Sequence, residues 1–237
     1  METKLIEKTT VAEGTMRFHF EKPEGFTYRA GQSIDLTLVN PPETDAEGIM
    51  RAFTLASAPD DSYFAITTRM RDTAFKRVLK AMEPGTPLSF EGPFGDLTLP
   101  ERTDRPVVFL AGGIGVTPFY AMARDAATKS LPHKIILFYS NRRPEDAAFL
   151  DYLMALPTQN HNFTFVGTMT EMEKSSTEWS GERGYIDASM IAKYVSQAEM
   201  PLYYLAGPAG MVAALRKMLN ESGVSNDDIR TEEFTGY

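Results

Sequence analysis

The chain of 237 residues has no cysteine, which excludes disulfides, thiolate nucleophiles and cysteine-ligated iron–sulfur clusters. Histidine is nearly as scarce. His19, His133 and His161 stand far apart and lack the spacing of ligands, so no metal is expected. No apolar run reaches the length of about 18 residues that suggests a membrane span. The opening METKLIEK lacks the apolar stretch of a secretory signal, leaving the cytoplasm as the expected location. Basic residues are in deficit as well: the net charge is −8 and neither half carries a basic excess, so no nucleic-acid partner is expected.

One local stretch runs against that balance. RMRDTAFKRVLK, residues 69–80, sets Arg69, Arg71, Lys76, Arg77 and Lys80 against Asp72 alone, as a solvated face or an anion site would. Hydrophobic residues make up 43% and charged residues 24%, ordinary values for a globular chain with room for two modest cores.

Two rhythms divide the sequence. Before residue 100, short alternating segments (MRFHF, SIDLTLV, RAFTLA, YFAITTRM) separated by turn residues predict a small antiparallel β-barrel. A helix over 73–82 interrupts it, with Asp72 or Thr73 as its cap and Pro84-Gly85 as its stop. After Pro100, the buried strands VVFLAG, KIILFYS, FTFVGT and LYYLAG alternate with helices near 117–128, 145–156, 187–196 and 209–222. That alternation predicts an open parallel α/β sheet. The expected domains are 1–100 and 101–237, with PERTDRP, 100–106, at the boundary.

LAGGIGVTPF, 110–119, follows the first strand of the second half. Gly112, Gly113 and Gly115 would admit a ligand close to the backbone, beside the free N–H groups of a helix start. Thr117 can cap that helix, and Pro118 suits its first turn. The run is neither GxGxxG nor a P-loop, and by itself serves equally as a tight strand-to-helix turn.

Further stretches extend the pattern. In the order RAFT (51–54), GPFG (92–95), GGIGVTP (112–118), YSNR (139–142), AGPAGM (206–211) and EEFTGY (232–237), the chain resembles the ferredoxin–NADP reductase-like flavoproteins along nearly its whole length. The resemblance implies an FAD-binding barrel, with FMN the less favoured flavin, followed by an NAD(P)-binding domain. Arg51 would hold the flavin pyrophosphate, Phe53 would pack on the flavin, and the Thr54 hydroxyl would face flavin N5. Thr68, Arg69, Thr73, Ala74 and Phe75 match the second flavin segment, although many relatives have glycine and serine there. GPFG would orient the two domains near the flavin.

For the pyridine nucleotide, the resemblance assigns the pyrophosphate to GGIGVTP, with Thr117 toward the nicotinamide, and the adenosine ribose to YSNR. Ser140 and Arg142 suit the 2′-phosphate of NADPH, helped by Arg143 and Arg183; a carboxylate there would suit the diol of NADH. Gly207 and Pro208 would flank the nicotinamide and Met211 the adenosine side, while Ala206 replaces the cysteine of several relatives. Glu232 matches the acidic residue near the flavin, for proton relay or polarisation, and Phe234 or Tyr237 the aromatic covering the flavin. The implied activity is NAD(P)H-dependent reduction of bound FAD, with electrons passing to a separate carrier such as ferredoxin, flavodoxin or an oxygenase component. Reduction of free flavin or a small acceptor is the alternative enzyme, and a nucleotide-binding module without turnover the alternative from another class.

Overall fold

The computed structural model describes residues 1–196 and 199–234. Its first strand, Glu2–Ala12 (β1), buries only Thr3 and Leu5 and has little apolar alternation, so the sequence does not announce it. Thr15–Glu21 (β2), Ser33–Leu38 (β3), Met50–Thr54 (β4) and Tyr63–Arg69 (β5) follow. In β3 every second side chain, Ile34, Leu36 and Leu38, points into the core, as a half-buried strand requires. Ala74–Ala81 (α1) is capped by Thr73, whose hydroxyl accepts the Lys76 N–H at 3.4 Å. Pro87–Phe94 (β6) is a second strand absent from the sequence expectation.

These six strands pair in the order β4-β3-β6-β1-β2-β5, all antiparallel. One bridge between Leu55 and Ile66 joins the end of β4 to β5 and curls the sheet into a barrel. Its core is aromatic: Phe26, Phe64 and Phe90 meet with ring centroids 4.9–5.7 Å apart.

The second half contains Val107–Gly112 (β7), Val116–Thr128 (α2), Ile135–Asn141 (β8), Leu150–Ala155 (α3) and Phe163–Met169 (β9). Glu182–Arg183 (β10), Ala188–Tyr194 (α4), Leu202–Pro208 (β11), Ala209–Glu221 (α5) and Ile229–Phe234 (β12) complete it. The sheet runs β10-β9-β8-β7-β11-β12 and is parallel throughout. Every residue of β7 is buried because helices cover both faces of a parallel sheet.

Two local expectations are corrected. The helix expected over 145–156 begins only at Leu150: residues 144–146 form a 3-10 turn, and Phe149 is left-handed (φ 62°), its ring stacked 3.8 Å from Tyr120. Thr117 does not cap α2. The cap position is Gly115, and the Thr117 hydroxyl donates to the Ile114 carbonyl at 3.0 Å.

Candidate functional site

At the carboxyl ends of the parallel strands, where an open sheet binds its ligands, a cleft opens toward the barrel. It contains two cavities of about 430 and 710 Å³ that share Arg69 and Arg71.

The smaller cavity lies on the barrel side. Arg51, Phe53 and Thr54 reach it from β4, Thr68 and Arg69 from β5, and Thr73 from the start of α1. Ala74 and Phe75 lie beneath as buried residues, with the Phe75 ring 5.8 Å from that of Phe53 and under the Arg51 guanidinium. From the other domain come Ile114, Thr117 and Phe234, so Thr117 belongs to this wall and not to the larger cavity.

Four cations, Arg51, Arg69, Arg71 and Lys76, line this cavity with Glu47 as the lining carboxylate. Burial, with Arg71 and Arg51 nearby, pushes the Lys76 ammonium down to about 8. Its Nζ donates to the Arg69 carbonyl at 2.7 Å. Thr67 Oγ1 and Arg69 Nε are buried without a hydrogen-bond partner. A ligand with a phosphate and further polar edges fits this donor set, because unpaired buried donors and crowded cations are each stabilised by an anion. The residues therefore suit a flavin nucleotide. Arg51 itself is held by Glu47 at 2.7 Å and by the carbonyls of Glu47, Gly48 and Met50, an engagement that the sequence does not reveal.

Glu232 meets Thr54 at the domain junction. The Thr54 hydroxyl donates to Glu232 Oε1 at 3.3 Å, across 178 positions of sequence. Burial pushes the Glu232 carboxyl above its usual range, and the hydrogen bond from Thr54 offsets part of the shift. β12 places Glu232 there by pairing with β11, Ala206 lying opposite Glu232 and Pro208 opposite Phe234. Tyr237 lies outside the described residues.

The larger cavity is lined by Gly112, Gly113, Ser140, Arg142, Pro208 and Met211, all expected at the nucleotide. Gly115, Pro118 and Gly207 are not on its wall. A Cβ on Gly115 would lie 2.4 Å from the Ala206 carbonyl oxygen, and Gly207 (φ 156°) backs onto Gly112, so both serve the close approach of two strand ends. Arg143 is committed elsewhere, to Asp146 at 2.9 Å and to Glu13 of the barrel at 2.6 Å. Arg183 is exposed on the short β10.

Sequence reasoning missed Glu171 and Tyr185 on this wall. The Glu171 N–H donates to the Arg142 carbonyl at 2.8 Å and its carboxylate pairs with Lys174, which holds it below the usual carboxylate range. Tyr185 is 81% exposed, an unusual position for an aromatic ring, and no local pattern in the sequence marks it.

Two family models match the chain: the oxidoreductase FAD-binding domain over residues 2–99 and the oxidoreductase NAD-binding domain over residues 109–217. Ferredoxin–NADP reductase B of Sorangium cellulosum is 28% identical, the alignment covering 98% of this chain and 97% of that protein. The glycine betaine monooxygenase reductase subunit of Chromohalobacter salexigens is 27% identical over 98% of this chain but only 62% of its own length. Among solved structures, a ferredoxin NADP+ reductase from Neisseria gonorrhoeae with bound FAD and NADP superposes with a TM-score of 0.80 at 22% identity, covering 98% of both chains. No helix of the described residues is long and apolar enough to cross a membrane.

Proposed function

The chain belongs to the ferredoxin–NADP reductase-like flavoproteins, FAD- and NAD(P)H-dependent oxidoreductases, and from that premise we propose that it passes electrons from NAD(P)H through FAD to a separate carrier protein. The observation that carries this reading is the shared wall of the two cavities: Arg69 and Arg71 border both, so two dinucleotides bound there would meet at one junction. FAD supplies, when bound, a hydride acceptor that releases electrons one or two at a time.

The protein's own residues bind, orient and shield. Arg51, Lys76 and the start of α1 would hold the flavin phosphates, and Phe53 would pack against the cofactor. Thr54 and Glu232 hold a proton beside the reacting edge, Glu232 being kept protonated more readily by its burial. Gly112 and Gly113 leave room for the nucleotide, Tyr185 offers a face to its adenine, and Phe234 covers the flavin side of the cleft. Arg142 suits a 2′-phosphate and Glu171 a ribose diol, so the balance between NADPH and NADH turns on these two side chains.

The test is anaerobic titration of the purified protein with NADPH and with NADH, following the flavin absorbance after the released cofactor has been identified by mass. Bleaching of bound FAD, followed by reoxidation with ferredoxin or flavodoxin, is expected. Arg142→Ala should weaken NADPH about tenfold more than NADH, one charge-assisted contact's worth; equal losses would remove it from phosphate recognition. A colourless protein that turns over riboflavin only as a substrate would favour free-flavin reduction instead.

A further inference from the structure

The acidic loop between β3 and β4, PPETDAEG at 41–48, is tied to the flavin cradle through three carboxylates. Asp45 Oδ2 accepts the Ala74 N–H, the first amide of α1, at 2.9 Å. Its Oδ1 accepts the Glu47 N–H at 3.0 Å and lies 3.6 Å from Arg51 Nη2. Glu47 takes the same guanidinium at 2.7 Å, and Glu43 binds Arg77 through both its oxygens, at 3.0 and 2.5 Å. Asp45 thus uses an N-terminal helix amide and approaches the arginine, two groups that suit a phosphate.

We propose that Asp45 is an internal stand-in for the flavin phosphate: it occupies the Ala74 amide and stands beside Arg51, and loop 43–47 must lift for FAD to seat. The inference rests on the placement of the flavin phosphate at Arg51 and the start of α1. Two anions cannot both take the Ala74 N–H at hydrogen-bonding distance, beside the same guanidinium, without strong repulsion, because the site is partly withdrawn from water. Either the loop releases or the phosphate stays out. Asp45 therefore sets both the affinity for phosphorylated flavins and the rate at which they enter. An anchoring loop with no role in cofactor exchange would set neither.

The experiment uses the full chain stripped of flavin, with quenching of flavin fluorescence as the readout and riboflavin, FMN and FAD as the probes. Asp45→Asn keeps the shape and an acceptor oxygen but removes the charge. It is expected to bind FAD and FMN about tenfold tighter, with riboflavin, which carries no phosphate, unchanged. In stopped flow, the parent's rate of FAD entry should level off with FAD concentration at the rate of loop release, while the variant's stays linear over the same range. Glu47→Gln, which loosens the loop from Arg51 without touching Ala74, should shift both readouts in the same direction. Unchanged or weaker FAD binding in Asp45→Asn would overturn the stand-in, as would an equal gain for riboflavin. Arg51→Gln separates the two levels: if it fails to weaken FAD binding, the phosphate placement falls, whereas a tenfold loss there with no gain in Asp45→Asn overturns the stand-in alone.

Discussion

A carboxyl group drawn out of water favours its neutral form, and this is the setting of Glu232, where the hydrogen bond from the Thr54 hydroxyl at 3.3 Å only partly offsets the burial. Its folded-state pKa is raised above the unfolded value, so the stability it contributes is fully present below the ordinary glutamate pKa and is lost as pH rises through the folded value. Glu232→Gln cannot ionise and escapes that loss. Urea melts of the flavin-free variant should show greater stability than the parent at neutral pH and no advantage near pH 4. Its flavin reduction by NAD(P)H should fall roughly 10²-fold, the usual contribution of a positioned proton donor. A variant as fast as the parent would take Glu232 out of the proton relay. Lys76 shows the complementary case: an ammonium lowered to about 8 by burial and by neighbouring arginines marks a place that an anion would stabilise.

At the scale of elements, the turn from β7 into α2 divides its glycines between two tasks. A Cβ on Gly112 would meet the Met211 sulfur at 2.4 Å, near the far end of a flexible side chain, inside the larger cavity. A Cβ on Gly115 would meet the Ala206 carbonyl oxygen at the same distance, and that backbone is fixed in β11. Gly115→Ala should therefore destabilise the protein by about 2–3 kcal/mol in thermal or urea melts. Gly112→Ala should cost under about 1 kcal/mol, because Met211 can move, but weaken NAD(P)H binding as the cavity narrows. Equal melting losses would refute this division. LAGGIGVTPF made the turn legible, since only such a cluster of glycines lets strand and helix ends crowd together. The role of Gly115 was not legible, because its neighbour lies some 90 positions later and only the β7–β11 pairing brings it there. For the same reason β1 escaped notice: ETKLIEKTTVA buries two side chains and is held chiefly by its neighbours' backbones. RAFT was visible as a motif, while the carboxylates around Arg51 depend on a loop fold that no local pattern in PPETDAEG specifies.

The whole molecule depends on how the barrel and the parallel sheet are held across the cleft, since Thr54 and Glu232 meet only if that junction is fixed. Arg124 of α2 grips Asp61, between β4 and β5, through both terminal guanidinium nitrogens, and both side chains are half-buried. Arg143 reaches Glu13, and the Tyr204 hydroxyl donates to the Thr98 carbonyl at 3.1 Å. Arg124→Met leaves the Asp61 carboxylate without its guanidinium partner and should cost about 1–3 kcal/mol, between the loss of an exposed pair and that of a buried one. Asp61→Asn should cost a similar amount by leaving the guanidinium short of its partner. Flavin reduction by NAD(P)H should slow several-fold in both, with FAD affinity nearly unchanged because the cations of the flavin cradle come from β4, β5, α1 and the segment between β5 and α1. The double variant separates the two contributions of the pair. With neither charge left unpaired, it should recover much of the lost stability while keeping the slow reduction. Recovery of both would mean that the pair only offsets its own burial, and that the cleft is set by the remaining contacts.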